Sequence, residues 1–274
     1  GKGHQVHLLC RNLKGLQRKE YTESVTIHRL TPCASPRLRY ILSFPVFLNP
    51  FWLWAAIKII CQNKIDIIIV RDLPLALCAI MAGRFCSRPV IMDMAENYVA
   101  LLEDTWKYEP LRIQNILVRN PKLAGLVEKI ATRLLDHIIV VVEEAKERLL
   151  GDGTPSDKIT VVSNTPEIHF LVKSLGTLAD TDISLMADRY VIIYVGGLEF
   201  SRGIDQVVRA MVKVVDKVPE SLFMIIGEGN SKEYLKDLSI RLGISQNVIL
   251  RGWVDFQNIP AFLNYASVGI IPHH

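Results

Sequence analysis

Short runs of β-branched and other apolar residues alternate along the chain with longer stretches whose apolar positions recur every three to four residues. That alternation predicts parallel strands joined by helices and packed in layers. In the first half the strand-like runs cover residues 5–10, 25–30, 66–70, 89–93, 137–142 and 159–162. Most are apolar almost throughout, as expected of strands covered on both faces. Helical periodicity occupies 73–85, 125–135 and 143–150, and Leu150-Gly151-Asp152-Gly153 supplies a helix stop and a turn. Residues 175–188 break the rhythm with Gly176 and several Asp and Thr, and predict an interdomain linker. The alternation then resumes, with strands at 190–195, 221–226, 247–250 and 267–271 and helices at 203–217, 231–242 and 258–265. The expected architecture is α/β: two doubly wound domains in tandem, 1–174 and 189–274, the second cut short.

One segment departs from this pattern. Residues 41–61 are apolar over about the length of a membrane span, but Pro45, Asn49, Pro50 and Lys58 interrupt them. Two prolines so close together argue against one straight spanning helix. An interfacial patch, with Phe51, Trp52 and Trp54 beside Arg37 and Arg39 at lipid headgroups, is a second reading. The expectation is an amphipathic helix packed within the first domain.

Half of the 274 residues are hydrophobic, enough for packed cores and against disorder. A formal net charge of +4 permits anionic partners such as phosphates or lipid headgroups, and carries no nucleic-acid signature. The five cysteines (Cys10, Cys33, Cys61, Cys78, Cys86) form no CxxC pair, so neither a disulfide framework nor a zinc site is indicated. A reducing compartment, by default the cytosol, fits best.

In an open parallel sheet, ligands bind beyond the carboxyl ends of the strands. The richest such turn here is Tyr194-Val195-Gly196-Gly197-Leu198-Glu199-Phe200-Ser201-Arg202-Gly203, which leads into a helix. Paired glycines let a backbone approach a phosphate, a helix N-terminus favours an anion, and Arg202 adds a cation with fork geometry. The turn is neither a Walker loop nor a GxGxxG fingerprint, which argues against a Rossmann-type dehydrogenase. The next strand ends in Gly227-Glu228-Gly229-Asn230, and a third turn reads Arg251-Gly252-Trp253-Val254. Three successive glycine openings at one rim describe a backbone-lined crevice. Trp253 reads either as a packing aromatic or as a residue flanking a nucleobase.

The stretches YVGGLEFSRGIDQVVRAM, FMIIGEGNSKEYLKDLSIRLGISQNVILRGWV and IPAFLNYASVGIIPHH resemble the nucleotide-sugar domain of GT-B glycosyltransferases, and most of all the retaining family-4 group. The first half is similar more loosely, at 66–70, the Asp93–Tyr98 turn, 136–144 and 158–164. The resemblance implies two Rossmann-like domains facing a cleft, with the first, 1–174, on the acceptor side. It further implies transfer of a sugar from a UDP- or GDP-linked donor to a hydroxyl of a glycan or lipid-linked acceptor, with retention. The donor-binding residues would be Gly196, Gly197, Arg202, Gly203, Gly227, Glu228, Gly229, Trp253 and Val254. Arg202 would stabilise the leaving diphosphate, and Glu96 joins it as a catalytic candidate. Asp93, Glu96, Asn97 and Tyr98 form the acceptor side. Asp93 and Glu96 are also read as a turn cap and a solvated rim residue.

This sequence departs from the family pattern in three places. Gly197 stands where an Arg is common, Arg202 replaces a Lys, and Ala95 replaces a His. The family's first strand and glycine turn would precede Gly1, and its Glu-x7-Glu element would follow Ile271. The chain by itself is therefore expected to be inactive. No cofactor and no metal are expected: Asp180-Thr181-Asp182 matches a metal-holding DxD but falls in the linker, and His273-His274 lacks ligand spacing. The implied setting is cytoplasmic, peripheral at the inner face of the cell membrane. A sugar-nucleotide epimerase of the same fold and a non-catalytic nucleotide-sugar-binding scaffold are the alternatives. A phosphorylase would need a pyridoxal-phosphate lysine site that the chain does not display.

Overall fold

The computed structural model describes residues 3–22, 24–108, 119–165 and 178–272. The beginning of the expected linker, 175–177, and the His273-His274 pair lie outside the described residues. The chain divides into two compact units, Gly1–Asn164 and Thr165–His274.

In the first unit β1 (Val6–Arg11) pairs in parallel with β3 (Val25–Leu30), and β2 (Lys19–Tyr21) runs antiparallel along the other edge of β3. A second, wholly parallel sheet has the order β4-β5-β6-β7, built from Ile68–Arg71, Val90–Met94, His137–Val140 and Ile159–Val161. Its core joins Val90, Met92, Ile138 and Val140 to Ala76 and Ile80 of α3 (Ala76–Cys86). Helices α4 (Tyr98–Tyr108), α5 (Pro121–Leu134) and α6 (Glu143–Gly151) complete the described part of this unit. Burial alternates along β5 and β6, so Val90, Met92, Ile138 and Val140 share the face that meets this core, while the residues between them are only partly covered.

The apolar stretch 41–61 divides in two, as its prolines require. Helix α1 (Pro36–Leu42) ends at Ser43, and α2 (Pro50–Asn63) starts afresh behind Asn49. The Asn49 side chain caps α2 by accepting from the Phe51 and Trp52 amides at 2.9 and 3.4 Å. Trp52 is buried, donates its indole N–H to the Ser43 carbonyl at 3.0 Å, and packs with Leu30, Ala55 and Cys78. Helix α2 is thus the packed helix expected from the sequence, and Trp52 drops out of the alternative interfacial reading because its ring closes the core beneath the first sheet. Trp54 is exposed, with the Lys58 ammonium 5.0 Å from its ring centre. No helix among the described residues is long and apolar enough to cross a membrane.

In the second unit all strands are parallel, in the order β10-β9-β8-β11: Val248–Gly252, Ser221–Ile226, Tyr190–Val195 and Val268–Gly269. Strand β9 is buried at every position and divides two cores. Phe223 and Ile225 pack with Val208 and Met211 of α8 (Ile204–Lys217) and Leu235 and Leu238 of α9 (Lys232–Arg241). Leu222, Met224 and Ile226 pack on the other face with Phe262 of α10 (Ile259–Tyr265) and Met186.

Part of the stretch expected to be a linker is an ordered helix. Asp180–Met186 form α7, whose Met186 enters the second core. Asp182 is buried and accepts from the Arg251 guanidinium at 2.5 and 3.0 Å. With one apolar anchor and one buried carboxylate in an ion pair, so short a helix has too few repeats to register as periodicity.

Candidate functional site

The order β10-β9-β8-β11 means that the chain leaves β8 toward β9 on one side and returns to its other side as β11. The strand order therefore reverses between β8 and β11, and the carboxyl end of β8 is a switch point of the kind at which open α/β sheets bind ligands. The turn 196–203 lies at this point, between β8 and the start of α8.

Hydrogen bonds tie the three glycine turns into one rim. Gly196 N–H donates to the Ile226 carbonyl at 3.0 Å, Leu198 N–H to Glu228 at 3.0 Å, and Gly227 N–H to Gly252 at 2.9 Å. Ser231, just ahead of α9, donates both its amide and its hydroxyl to the Leu198 carbonyl. Leu198 is fully buried and anchors the turn from below.

The contacts explain why glycine is needed here. A Cβ on Gly227, whose φ is +144°, would fall 1.8 Å from the Gly196 carbonyl oxygen, and one on Gly229 would fall 2.5 Å from the Leu198 oxygen. These two glycines let neighbouring turns touch. Gly197 differs: it is exposed, and a Cβ there would meet nothing within 4 Å. Beneath it the Tyr194 hydroxyl donates to the Gly197 carbonyl at 2.8 Å. Burial pushes the Tyr194 phenol up from its ordinary range; Arg202 pulls it down and Glu199 adds to the rise. Arg202 thus lies within electrostatic reach of the glycine pair, half-buried in the short 3-10 turn Phe200–Arg202. Gly203 adopts the left-handed conformation (φ +67°) that turns the chain into α8.

At the third turn β10 carries a bulge between Leu250 and Gly252, which directs Arg251 to Asp182. Trp253 is 74% exposed, so its ring stands off the core, while Val254 packs against it. The sequence reading missed Lys232 at the start of α9, which pairs with Glu228 at 2.6 Å beside Gly252. The signal available was the Lys that follows the glycine turn and Ser231. An apolar groove also runs beside α8 and β11, lined by Ile192, Val207, Met211, Val268 and Ile270. Its walls supply no cation for a diphosphate, so the glycine rim is the better candidate.

In the first unit the acceptor-side candidates gather at the carboxyl ends of β4 and β5. Asp93 is held by Arg71 at 2.6 Å. Hydrogen bonding to Asp93, more than its charge, raises the Arg71 guanidinium above its ordinary value. Asp72 takes a left-handed φ of +56° with an extended ψ, a strained state for a residue with a side chain. It is fixed there by donating its N–H to the Asp93 carbonyl at 2.9 Å and accepting from the Ala95 N–H at 2.9 Å. Arg71 and Asp72 were missed in the sequence, where nothing marks a strained strand end. Asn97 caps α4 by accepting from the Ala100 amide, Tyr98 packs into the core, and Glu96 points to solvent. Burial raises the Tyr98 phenol. Among the described residues no group of three or more His, Cys, Asp or Glu is placed so that it could hold a metal ion. Asp182 of the DxD match is engaged by Arg251.

Comparison with known proteins follows this division. Residues 1–165 match the family described as Glycosyltransferase Family 4, and residues 180–274 match Glycosyl transferases group 1. A glycosyltransferase of Methanocaldococcus jannaschii is 22% identical over 98% of this chain and 66% of its own. Sucrose-phosphate synthase from Thermosynechococcus elongatus superposes with a TM-score of 0.74 at 15% identity, over 99% of this chain and 66% of that one. The Anabaena protein HepE, solved in complex with UDP, gives 0.64 at 13% identity, over 98% and 74%. The structural likenesses are likenesses of fold. The chain spans about two thirds of the length of the first two of these proteins.

Proposed function

The chain belongs to glycosyltransferase family 4, and from that premise we propose that it serves to move a sugar from a UDP- or GDP-linked donor to a hydroxyl of a glycan or lipid-linked acceptor. The observation that carries this reading is the rim at the β8–β11 switch point, where three glycine turns are hydrogen-bonded together around an open Gly197 and a half-buried Arg202. Such a rim offers a diphosphate close backbone approach and a fork-shaped cation. The complex of HepE with UDP supports the choice of nucleotide class.

In this reading the donor's diphosphate lies over Gly196 and Gly197, and Trp253 flanks the base. The acceptor oxygen attacks the anomeric carbon on the face from which the diphosphate departs. The bond from that carbon to the phosphate oxygen breaks, the departing oxygen takes the acceptor's proton, and the configuration is retained. Arg202 opposes the negative charge that grows on the leaving group. Asp93 is engaged by Arg71, and Glu96, exposed at the same rim, is the carboxylate assigned to orient the acceptor hydroxyl in this reading. No step calls for a metal. The exposed apolar side chains of Leu38, Tyr40 and Ile41 on α1 and Trp54 on α2, with Arg37 and Lys58, support peripheral contact with the cytosolic membrane face.

Calorimetric titration with UDP, GDP and ADP in the absence of metal tests the donor site. Selective binding of one uridine or guanosine nucleotide, weakened in Arg202→Ala, is the expected result. A folded protein that binds none of them at millimolar concentration would overturn the reading.

A further inference from the structure

Away from the glycine rim, two helices of the first unit end side by side. Cys61 lies in the last turn of α2, two residues before its end at Asn63, and Cys86 is the final residue of α3. Their Sγ atoms are 3.7 Å apart. We propose that Cys61 and Cys86 are a redox-responsive pair that closes to a disulfide, stapling the end of α2 to the end of α3.

Contact between the sulfurs requires them to approach by less than about 2 Å to reach bonding distance. The setting allows that shift. Each helix ends in a left-handed residue, Lys64 at φ +51° and Ser87 at φ +52°, so the movement falls on side-chain torsions and on final turns, where helices fray. Cys61 is exposed and Cys86 partly so, which lets a small oxidant in. The other three thiols are placed differently. Cys78 is buried, with the Asn49 amide donating to its sulfur at 3.2 Å, while Cys10 and Cys33 are partly buried elsewhere in the unit.

The oxidant is a low-molecular-weight disulfide of the glutathione type, RSSR. The Cys61 thiolate attacks one sulfur of RSSR and displaces RS⁻. Cys86, once deprotonated, attacks Cys61 Sγ in the mixed disulfide and displaces the second RS⁻. Two protein thiols are oxidised, one RSSR is reduced to two RSH, and the two thiol protons end on the released thiolates. The order follows from access: Cys61 is the more exposed, and burial together with the contact to Cys61 raises the Cys86 thiol, with Arg88 opposing.

The test is incubation of the folded protein with excess glutathione disulfide, then acid quench, thiol counting in denaturant and peptide mapping. The five thiols should fall by two, with a mass loss of about 2 Da and a cross-link between the Cys61 and Cys86 peptides. Dithiothreitol should restore all five. Cys61→Ser and Cys86→Ser should each abolish the cross-link and leave the remaining single cysteine to accept at most a glutathione adduct. Retention of five thiols, glutathione adducts at both positions without a cross-link, or a cross-link to any other cysteine would overturn the proposal.

Discussion

Asp182 and Arg251, 69 positions apart, meet in a two-pronged ion pair with contacts of 2.5 and 3.0 Å. The carboxylate is 5% exposed and the guanidinium 38%, so the pair joins a buried anion to a cation at the surface. It fastens α7 to the bulge of β10, and through Gly252 to the rim. Removing one partner strands the other's charge, and the cost rises with burial. Asp182→Ala is therefore expected to cost about 2 kcal/mol, below the range for fully buried pairs because Arg251 can turn to water. Asp182→Asn should cost about half of that. Urea unfolding of the two variants beside the wild type checks both values.

Two neighbouring glycines should respond oppositely to a methyl group. Gly227→Ala drives a Cβ into the Gly196 backbone at 1.8 Å and holds it at a positive φ. Neither turn can yield without breaking the hydrogen bonds between them, so a loss of about 3 kcal/mol is expected. Gly197→Ala meets nothing within 4 Å and should leave stability within about 0.5 kcal/mol. If the diphosphate lies over Gly197, that same methyl should weaken nucleotide binding by roughly tenfold through lost close approach. Thermal melts and nucleotide titrations of both variants separate the structural glycine from the one that leaves room.

The strands of both parallel sheets were legible from their apolar runs, which are buried on both faces in β8, with Val191 and Ile193 against Ile192 and Tyr194, and on one face in β5, at Val90, Met92 and Met94. Elements without that burden were not legible. Strand β2 is exposed at Lys19, Glu20 and Tyr21, and α1 buries no residue, so neither has a pattern to read. The glycine turns stood out as composition, but their reasons did not. Gly227 serves a backbone contact and Gly197 faces open space, a difference that arises only when β8 and β9 are side by side. Pairings such as Arg71 with Asp93 depend on the register of β4 and β5, which one strand's sequence cannot state.

His28 is expected to make the first unit sensitive to mild acid. Its ring stacks on His7 with centroids 5.3 Å apart, and Nε2 lies 3.0 Å from His7 Nδ1. Burial, then His7, then Lys19 lower its pKa below the ordinary 6.5. The folded state therefore holds fewer protons than the unfolded chain between that lowered value and about 6.5. Stability is full above this window and declines as pH falls through it. His28→Gln should flatten the decline between pH 7 and 5, followed by denaturant midpoints across about five pH values. A wild-type midpoint that does not move over that range would contradict the assignment.

Arg202 offers the sharpest view of the chemistry, because ground-state and transition-state roles leave different kinetic marks. A cation that only holds the donor acts equally on bound substrate and transition state, so its loss raises KM and leaves kcat unchanged. A cation that meets charge growing on the departing diphosphate acts mainly in the transition state, so its loss lowers kcat. Arg202 is half-buried at the start of α8 and close enough to Tyr194 to influence its phenol, a position where an electrostatic interaction is less weakened by water than at an open surface. Arg202→Ala is expected to lower kcat by about 100-fold with a smaller change in KM. Arg202→Lys keeps the charge without the fork and should recover part of the loss, about tenfold. Steady-state kinetics of the full-length enzyme, with the nucleotide-sugar identified by calorimetry, checks the split. Equal kcat in wild type and Arg202→Ala would remove Arg202 from the leaving-group role and leave the glycine rim as a binding feature alone.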